Sequence, residues 1–159
     1  MKNKFLPLAL LAAALVLQRT ALADQPAPAP GAPVRTVVII GNDTLKFNIT
    51  RIDAKPGEVI HVQLRNEGTL PKDGMGHNWI LLDNDSEAAT YAMAAIPARE
   101  FCYMPKAEAS HVLASITLLG PKEVGDVTFT APTKPGKYPF ICSCSGHSMA
   151  GMRGELVVK

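Results

Sequence analysis

The segment FICSCSGHSMAGMRGELVVK, residues 140–159, gathers Cys142, Cys144, His147, Met149 and Met152 within eleven positions. Thiolate, imidazole and thioether are soft or borderline ligands, suited to copper and not to calcium or magnesium. A structural zinc site draws four strong ligands from paired clusters and does not recruit methionine. Cys142-x-Cys144 is too tightly spaced for that pattern. A copper electron-transfer site takes two histidines and one cysteine in a plane, with a long, weak axial methionine. Cys142, His147 and Met152 supply three of the four from a single loop. Counted from Cys144 the loop reads C-x2-H-x4-M, so spacing alone leaves two candidate thiolates. Strand phase favours Cys142, because Tyr138, Phe140 and Cys142 share one face of an alternating run.

The second histidine must come from elsewhere. In EVIHVQL, Ile60, Val62 and Leu64 share a face and His61 points the other way. His111 takes the same off-core phase in HVLASITLL. His77 differs: it follows LPKDGMG, where Gly74 and Gly76 free the backbone just before a strand-like run begins. A loop histidine in that place can face a second loop, which makes His77 the preferred fourth donor.

These loops need a frame. The 159 residues are enough for one ordinary domain with a real core. Residues 1–23 read as a secretory signal peptide: Lys2 and Lys4, an apolar run from Phe5 to Leu17, and a small-x-small site at Ala21-Leu22-Ala23. That run is too short to span a bilayer, and no other segment of the mature chain is apolar enough. QPAPAPGAP then forms a Pro/Ala-rich leader over 24–33. Removing Lys2, Lys4 and Arg19 from the 16 basic residues leaves 13 against 14 acidic ones, a formal charge of −1. A surface so near neutrality lacks the basic field of a nucleic-acid binder.

From residue 34 to 159 the sequence alternates in short runs. VRTVVII (34–40), TLKFNITRI (44–52), EVIHVQLRN (58–66), HNWILLD (77–83), HVLASITLL (111–119), DVTFTAP (126–132), KYPFICS (137–143) and GELVVK (154–159) are separated by Gly, Pro, Asn and Asp. About eight such strands predict an all-β, antiparallel-rich sandwich or barrel. SEAATYAMAAIPAREF (86–101), rich in alanine and interrupted by Pro97, predicts a short helical flap between strands. Export to an oxidising compartment favours paired cysteines. Three cannot all pair, and a Cys102–Cys144 bridge is one open possibility.

LPKDGMGHNW followed by C-x4-H-x4-M resembles the azurin and auracyanin group of blue copper proteins, the cupredoxins; that family's generic ligand set is a standard example of copper–thiolate chemistry. GNDTLKFN at 41–48, Gly136-x-Tyr138-x-Phe140-x-Cys142 and MRGELVVK at 152–159 extend the likeness over residues 34–159. The resemblance implies a Greek-key cupredoxin domain and one mononuclear type 1 copper held by His77 Nδ1, Cys142 Sγ, His147 Nδ1 and Met152 Sδ. The Gly76 carbonyl is implied as a distant fifth contact. Asn78 and Ser143 are implied to tie the two ligand loops together, and Leu70, Pro71, Met75, Met149 and Ala150 to form an apolar docking patch around His147. Where azurin spaces its last pair H-x3-M, this chain has H-x4-M, as in auracyanins and plastocyanins. Arg35 and the Pro56-Gly57 turn stand where azurin carries a disulfide, and Cys144 stands where azurin has phenylalanine.

The function so implied is that of a periplasmic one-electron carrier, not an enzyme. Its partners would be redox proteins, such as a c-type cytochrome or a periplasmic reductase or oxidase. A copper delivery or storage protein is the alternative, and it calls for an accessible, exchangeable site. A cysteine hydrolase could use Cys142 and His147 as nucleophile and base, but leaves Met152 without a role.

Overall fold

The computed structural model describes residues 33–83 and 87–159. The expected signal peptide (1–23) and leader (24–33) lie outside the described residues, except for Pro33. Within these, eight strands form two sheets: β1 (Val34–Gly41), β2 (Arg51–Ala54), β3 (Val59–Asn66), β4 (His77–Leu82), β5 (Val112–Leu119), β6 (Val124–Thr130), β7 (Gly136–Ile141) and β8 (Arg153–Val158). One sheet has the order β1-β3-β6 and the other β2-β8-β7-β4-β5. The strands make an open sandwich and do not close into a barrel. β1 pairs parallel to β3, and β2 parallel to β8, while the remaining pairs are antiparallel. Parallel pairing of β1 with β3 needs a crossover connection, and here that connection passes through β2 in the other sheet.

Period-two alternation accounts for β3, where Ile60, Val62 and Leu64 are buried and His61 and Gln63 are partly exposed. β4 breaks this rule because all six of its residues are buried. It is flanked by β5 and β7 within its sheet. Trp79 from its inner face meets Phe140 at 5.6 Å and Phe129 at 6.0 Å between ring centroids. Those tilted arrangements suit the ring quadrupoles. The indole is fully buried, which makes Trp79 a core residue.

TLKFNITRI does not become one long strand. Leu45 adopts a left-handed φ of 57°, Phe47 makes an isolated bridge to Gly41 and inserts into the core, and regular pairing starts only at Arg51. Phe47 packs at 6.0 Å from Phe140, so this connection acts as a plug for the core. The expected flap is a helix, α2 (Ala88–Ala95), continued by a 3₁₀ segment at Ile96–Phe101 with Pro97 in its first turn. Tyr91, Ala92 and Ala95 turn its apolar side into the core. A second 3₁₀ segment, Lys106–His111, and a single turn in the LPKDGMG loop, α1 (Lys72–Met75), have no counterpart in the sequence expectation. Among the described residues no helix is long and apolar enough to cross a membrane. Arg35 on β1 reaches the Asp53 carbonyl of β2 at 2.6 Å and the Glu58 carboxylate at 2.6 Å, a polar strut between the two sheets.

Gly154 on β8 lies opposite Phe140 on β7. A Cβ there would fall 2.5 Å from the Thr50 carbonyl and inside the Phe140 ring. Gly154→Ala therefore overpacks a place where backbone cannot yield, and a loss of about 1–3 kcal/mol is expected in urea unfolding. Shrinking the ring in Phe140→Leu should make the glycine substitution less harmful in a double-mutant cycle. Additive losses would show that the ring is not the obstacle.

Candidate metal centre

β4 and β7 are antiparallel neighbours, with Ile80 opposite Ile141 and Leu81 opposite Phe140. The start of β4 therefore lies beside the end of β7, and His77 meets Cys142 although 65 residues separate them. After Ile141 the chain passes Cys142 and Ser143, makes a 3₁₀ turn at Cys144–Gly146, and returns through Met152 into β8. The loop closes on itself. Cys142 N–H donates to the Met152 carbonyl at 3.0 Å, Met152 N–H to the His147 carbonyl at 2.9 Å, and His147 N–H to the Cys144 carbonyl at 2.8 Å. On the other side, the α1 turn ends when Gly76 N–H bonds the Lys72 carbonyl at 2.9 Å. A Cβ on Gly76 would lie 2.6 Å from that same carbonyl, so glycine is what lets His77 follow so closely on the turn.

The donors converge. Cys142 Sγ lies 3.5 Å from His147 Nδ1 and 4.0 Å from His77 Nδ1, and the three atoms all fall within 4.8 Å of one another. The two imidazoles stand 5.2 Å apart at 58°. His77 and Cys142 are fully buried and His147 is 3% exposed. A triangle of these dimensions encloses a point about 2 Å from its corners, the length of a bond to a first-row metal. Met152 is also fully buried. Its Cε sits 2.6 Å from where a Cβ on Gly41 would be, and that same position is 3.3 Å from His77 Cδ2. The methionine methyl and the His77 ring thus border the same space, which only a glycine at position 41 leaves open.

The protonation states suit a soft cation. Burial lowers His77 to about 4, reinforced by the nearby His147, and the Asn42 carbonyl offsets a little of this shift. His77 Nε2 itself makes no hydrogen bond of good geometry. Burial lowers His147 as well, partly opposed by the Gly74 carbonyl. Both rings are neutral at pH 7 and keep a lone pair for a metal. Burial pushes the Cys142 thiol up to about 12, against the pull of the backbone N–H groups of Asn78 and Cys144. Without a cation the sulfur keeps its proton, and a metal would take that proton's place. Neutral imidazoles, one thiol and a thioether fit copper.

Asn78 and Ser143 join the two loops. Ser143 N–H donates to Asn78 Oδ1 at 2.8 Å, and Asn78 Nδ2 donates to Ser143 Oγ at 2.9 Å and to the Cys102 carbonyl at 3.1 Å. Ser143 Oγ in turn donates to the Tyr103 carbonyl at 2.6 Å. Both acceptors lie on a left-handed turn, with φ of 56° at Cys102 and 60° at Tyr103. Sequence reasoning missed these carbonyls, along with Gly41, because nothing local marks them as partners of residues 24 or more positions away.

Cys144 is fully buried but outside the donor triangle, so geometry separates the two candidate thiols. All three cysteines are free, and Cys102 and Cys144 form no bridge. His61 bonds Thr128 Oγ1 at 3.0 Å and His111 bonds Asp83 at 2.9 Å, both outside the cluster as the strand phase implied. Leu70 (45%) and Met149 (56%) are exposed, as are Pro71 and Ala150, while Met75 is half-buried.

Comparison with known proteins agrees with this geometry. The model for copper binding proteins of the plastocyanin/azurin family matches residues 34–159. Auracyanin-B of Chloroflexus aurantiacus is 34% identical over 148 residues, covering 87% of this chain and 61% of the relative's own length. Azurin of Pseudomonas aeruginosa is 36% identical over 129 residues, covering 78% of this chain and 84% of that protein. Among solved structures, auracyanin B superposes with a TM-score of 0.70 at 30% identity, over 85% of this chain and 96% of the other. A dithionite-reduced auracyanin from Roseiflexus castenholzii gives 0.69 at 29% identity, over 81% and 99%. Fold, donor set and likeness together place the chain in the plastocyanin/azurin family of copper binding proteins, as a blue copper cupredoxin.

Proposed function

We propose that the protein is a periplasmic one-electron carrier, exported by a cleaved signal peptide at residues 1–23. His77 Nδ1, Cys142 Sγ, His147 Nδ1 and Met152 Sδ would hold its copper, the thioether as the weakest of the four donors. The Gly76 carbonyl would be a further, weak donor. When bound, copper supplies a single electron by passing between Cu(I) and Cu(II).

The observation that carries this reading is the burial of two imidazole nitrogens and one thiol sulfur within 4.8 Å, drawn from two separate segments. The chain's own residues do the rest. Asn78 and Ser143 fix the two loops to each other, which limits how far the donors can move between valence states. The Asn78 and Cys144 amides face the ligand sulfur and temper its negative charge. The site needs no open position for a substrate, because the transfer breaks no bond. His147 is the donor with an edge at the surface, and Leu70, Pro71, Met75, Met149 and Ala150 form the apolar patch through which a redox protein docks. The near-complete burial of all three donors suits a retained cofactor better than an exchangeable cargo.

Copper(II) titration of the metal-free protein tests this. One equivalent should produce an intense visible thiolate band that reduction bleaches and reoxidation restores. Cys142→Ser should abolish the band and Cys144→Ser should keep it; the reverse pattern would move the ligand to Cys144. Rapid loss of copper to a weak chelator would instead support a delivery protein.

Metal binding should also stabilise the fold, since the donors are assembled only in the native state. Copper(I), in a hundredfold excess over its Kd, is expected to add about 2.7 kcal/mol to the unfolding free energy. A thermal midpoint that ignores the metal would refute a buried, preassembled site.

A further inference from the structure

Residues 148–151 span the distance between His147 and Met152, and their backbone is only partly held by the loop itself. Ala150 N–H donates to the Gly146 carbonyl at 3.1 Å and Gly151 N–H to the Ser148 carbonyl at 3.0 Å. The Ala150 carbonyl is met by no backbone N–H among the described residues. It accepts instead from Lys46 Nζ at 2.6 Å, across 104 positions of sequence. The lysine lies so close to this bend that a Cβ on Gly151, which has φ of 103°, would run into the ammonium.

Lys46 is not a surface lysine free to wander at its root. Thr44 bonds Asn42 Oδ1 through both its N–H at 3.0 Å and its hydroxyl at 2.6 Å, and Leu45 N–H bonds the Asn42 carbonyl at 3.1 Å. Leu45 turns left-handed, and Phe47 is buried in the core with its bridge to Gly41. Asn48 closes the connection, its N–H on the Ile40 carbonyl at 3.0 Å and its Oδ1 accepting from Ile40 N–H at 2.7 Å. The residues on both sides of Lys46 are therefore fixed, and its side chain leaves a rigid base. The connection that carries Lys46 begins at Gly41, the glycine that leaves room for Met152.

We propose that Lys46 is a positioning residue for the metal loop, anchoring the Ala150 carbonyl and through it the placement of Met152 beside the His77–Cys142–His147 cluster. Its copper consequence rests on the reading of that cluster as a copper site. The anchoring itself does not. A charged donor on a carbonyl makes a stronger hydrogen bond than a neutral one, and at an exposed position solvent reduces but does not remove that advantage. One connection, residues 41–48, then both makes space for the axial side chain and holds the arc that delivers it.

The test separates anchoring from general stability. In metal-free protein, Lys46→Met keeps the length of the side chain and removes the charge and the donors. Hydrogen exchange at the Gly151 and Met152 amides should accelerate about threefold to tenfold, the effect of losing one modest hydrogen bond. Amides of β3 and β4 should not change, and Lys46→Arg should restore slow exchange in the loop. In the copper-loaded protein, Lys46→Met should alter the spin-resonance line shape and speed copper loss to a chelator by a similar factor, with Lys46→Arg again close to the parent. Unchanged exchange at Gly151 and Met152, or equal acceleration across the whole domain, would overturn the proposal. A parent protein that takes up no copper but shows the expected exchange pattern would refute the copper reading and leave the anchor standing.

Discussion

Everything in this molecule depends on keeping two imidazoles and a thiol together and out of water. Removing polar groups from water is unfavourable unless something replaces the lost hydrogen bonds. The fold does that only in part: His77 Nε2 is left without a well-formed partner, and burial shifts both imidazoles and the thiol toward their neutral forms. A donor set of this kind is stable as neutral groups and becomes more stable when a soft cation replaces the thiol proton.

Sheet order is what makes that assembly possible. Because β7 lies between β8 and β4, the Cys142–Met152 loop joins two adjacent strands and is closed by its own hydrogen bonds, while His77 arrives from the third. The register between β4 and β5 shifts between His77 and Trp79. An irregularity of this type changes where a side chain points without disturbing the rest of the sheet. It lets His77 turn to the loops while Trp79, two residues on, packs in the core. Asn78 between them commits its amide to Ser143 of the Cys142–Met152 loop and to the Cys102 carbonyl.

How much of this could be read in the sequence depends on whether the signal was local. Alternation in VIHVQL and the shared phase of Tyr138, Phe140 and Cys142 are local, and the strands and the cysteine that joins the donor cluster followed from them. The cluster of sulfur and imidazole within residues 142–152 is local too. TLKFNITRI misled because its β-prone residues conceal a left-handed Leu45 and a single inserted aromatic, conformations imposed by partners elsewhere. Lys46 looked like any solvated lysine, since its acceptor lies 104 residues away. Gly41 looked like the end of a strand, and its real constraint is the Met152 methyl group. The α1 turn was hidden for a different reason: a four-residue helix containing a glycine has almost no propensity of its own, and it is closed by backbone bonds to the Pro71 and Lys72 carbonyls.

The loop's backbone shows why such remote restraints are needed. Ser145, Gly146 and Gly151 all take positive φ, and Ser145 does so with a side chain, at 24°. Glycine reaches this region at little cost, whereas serine incurs strain of order 1–3 kcal/mol. A segment with that much conformational freedom or strain does not choose one shape by itself. Here it is held from four directions: by Cys142 N–H on Met152, by Met152 N–H on His147, by Asn78 on Ser143, and by Lys46 on Ala150. With copper bound as proposed, a loop restrained in this way would have little room to relax toward the geometry that either valence state would choose alone. Small relaxation on electron exchange would then be a property of restraints that come half from the loop's own backbone and half from Asn78 and Lys46 outside it.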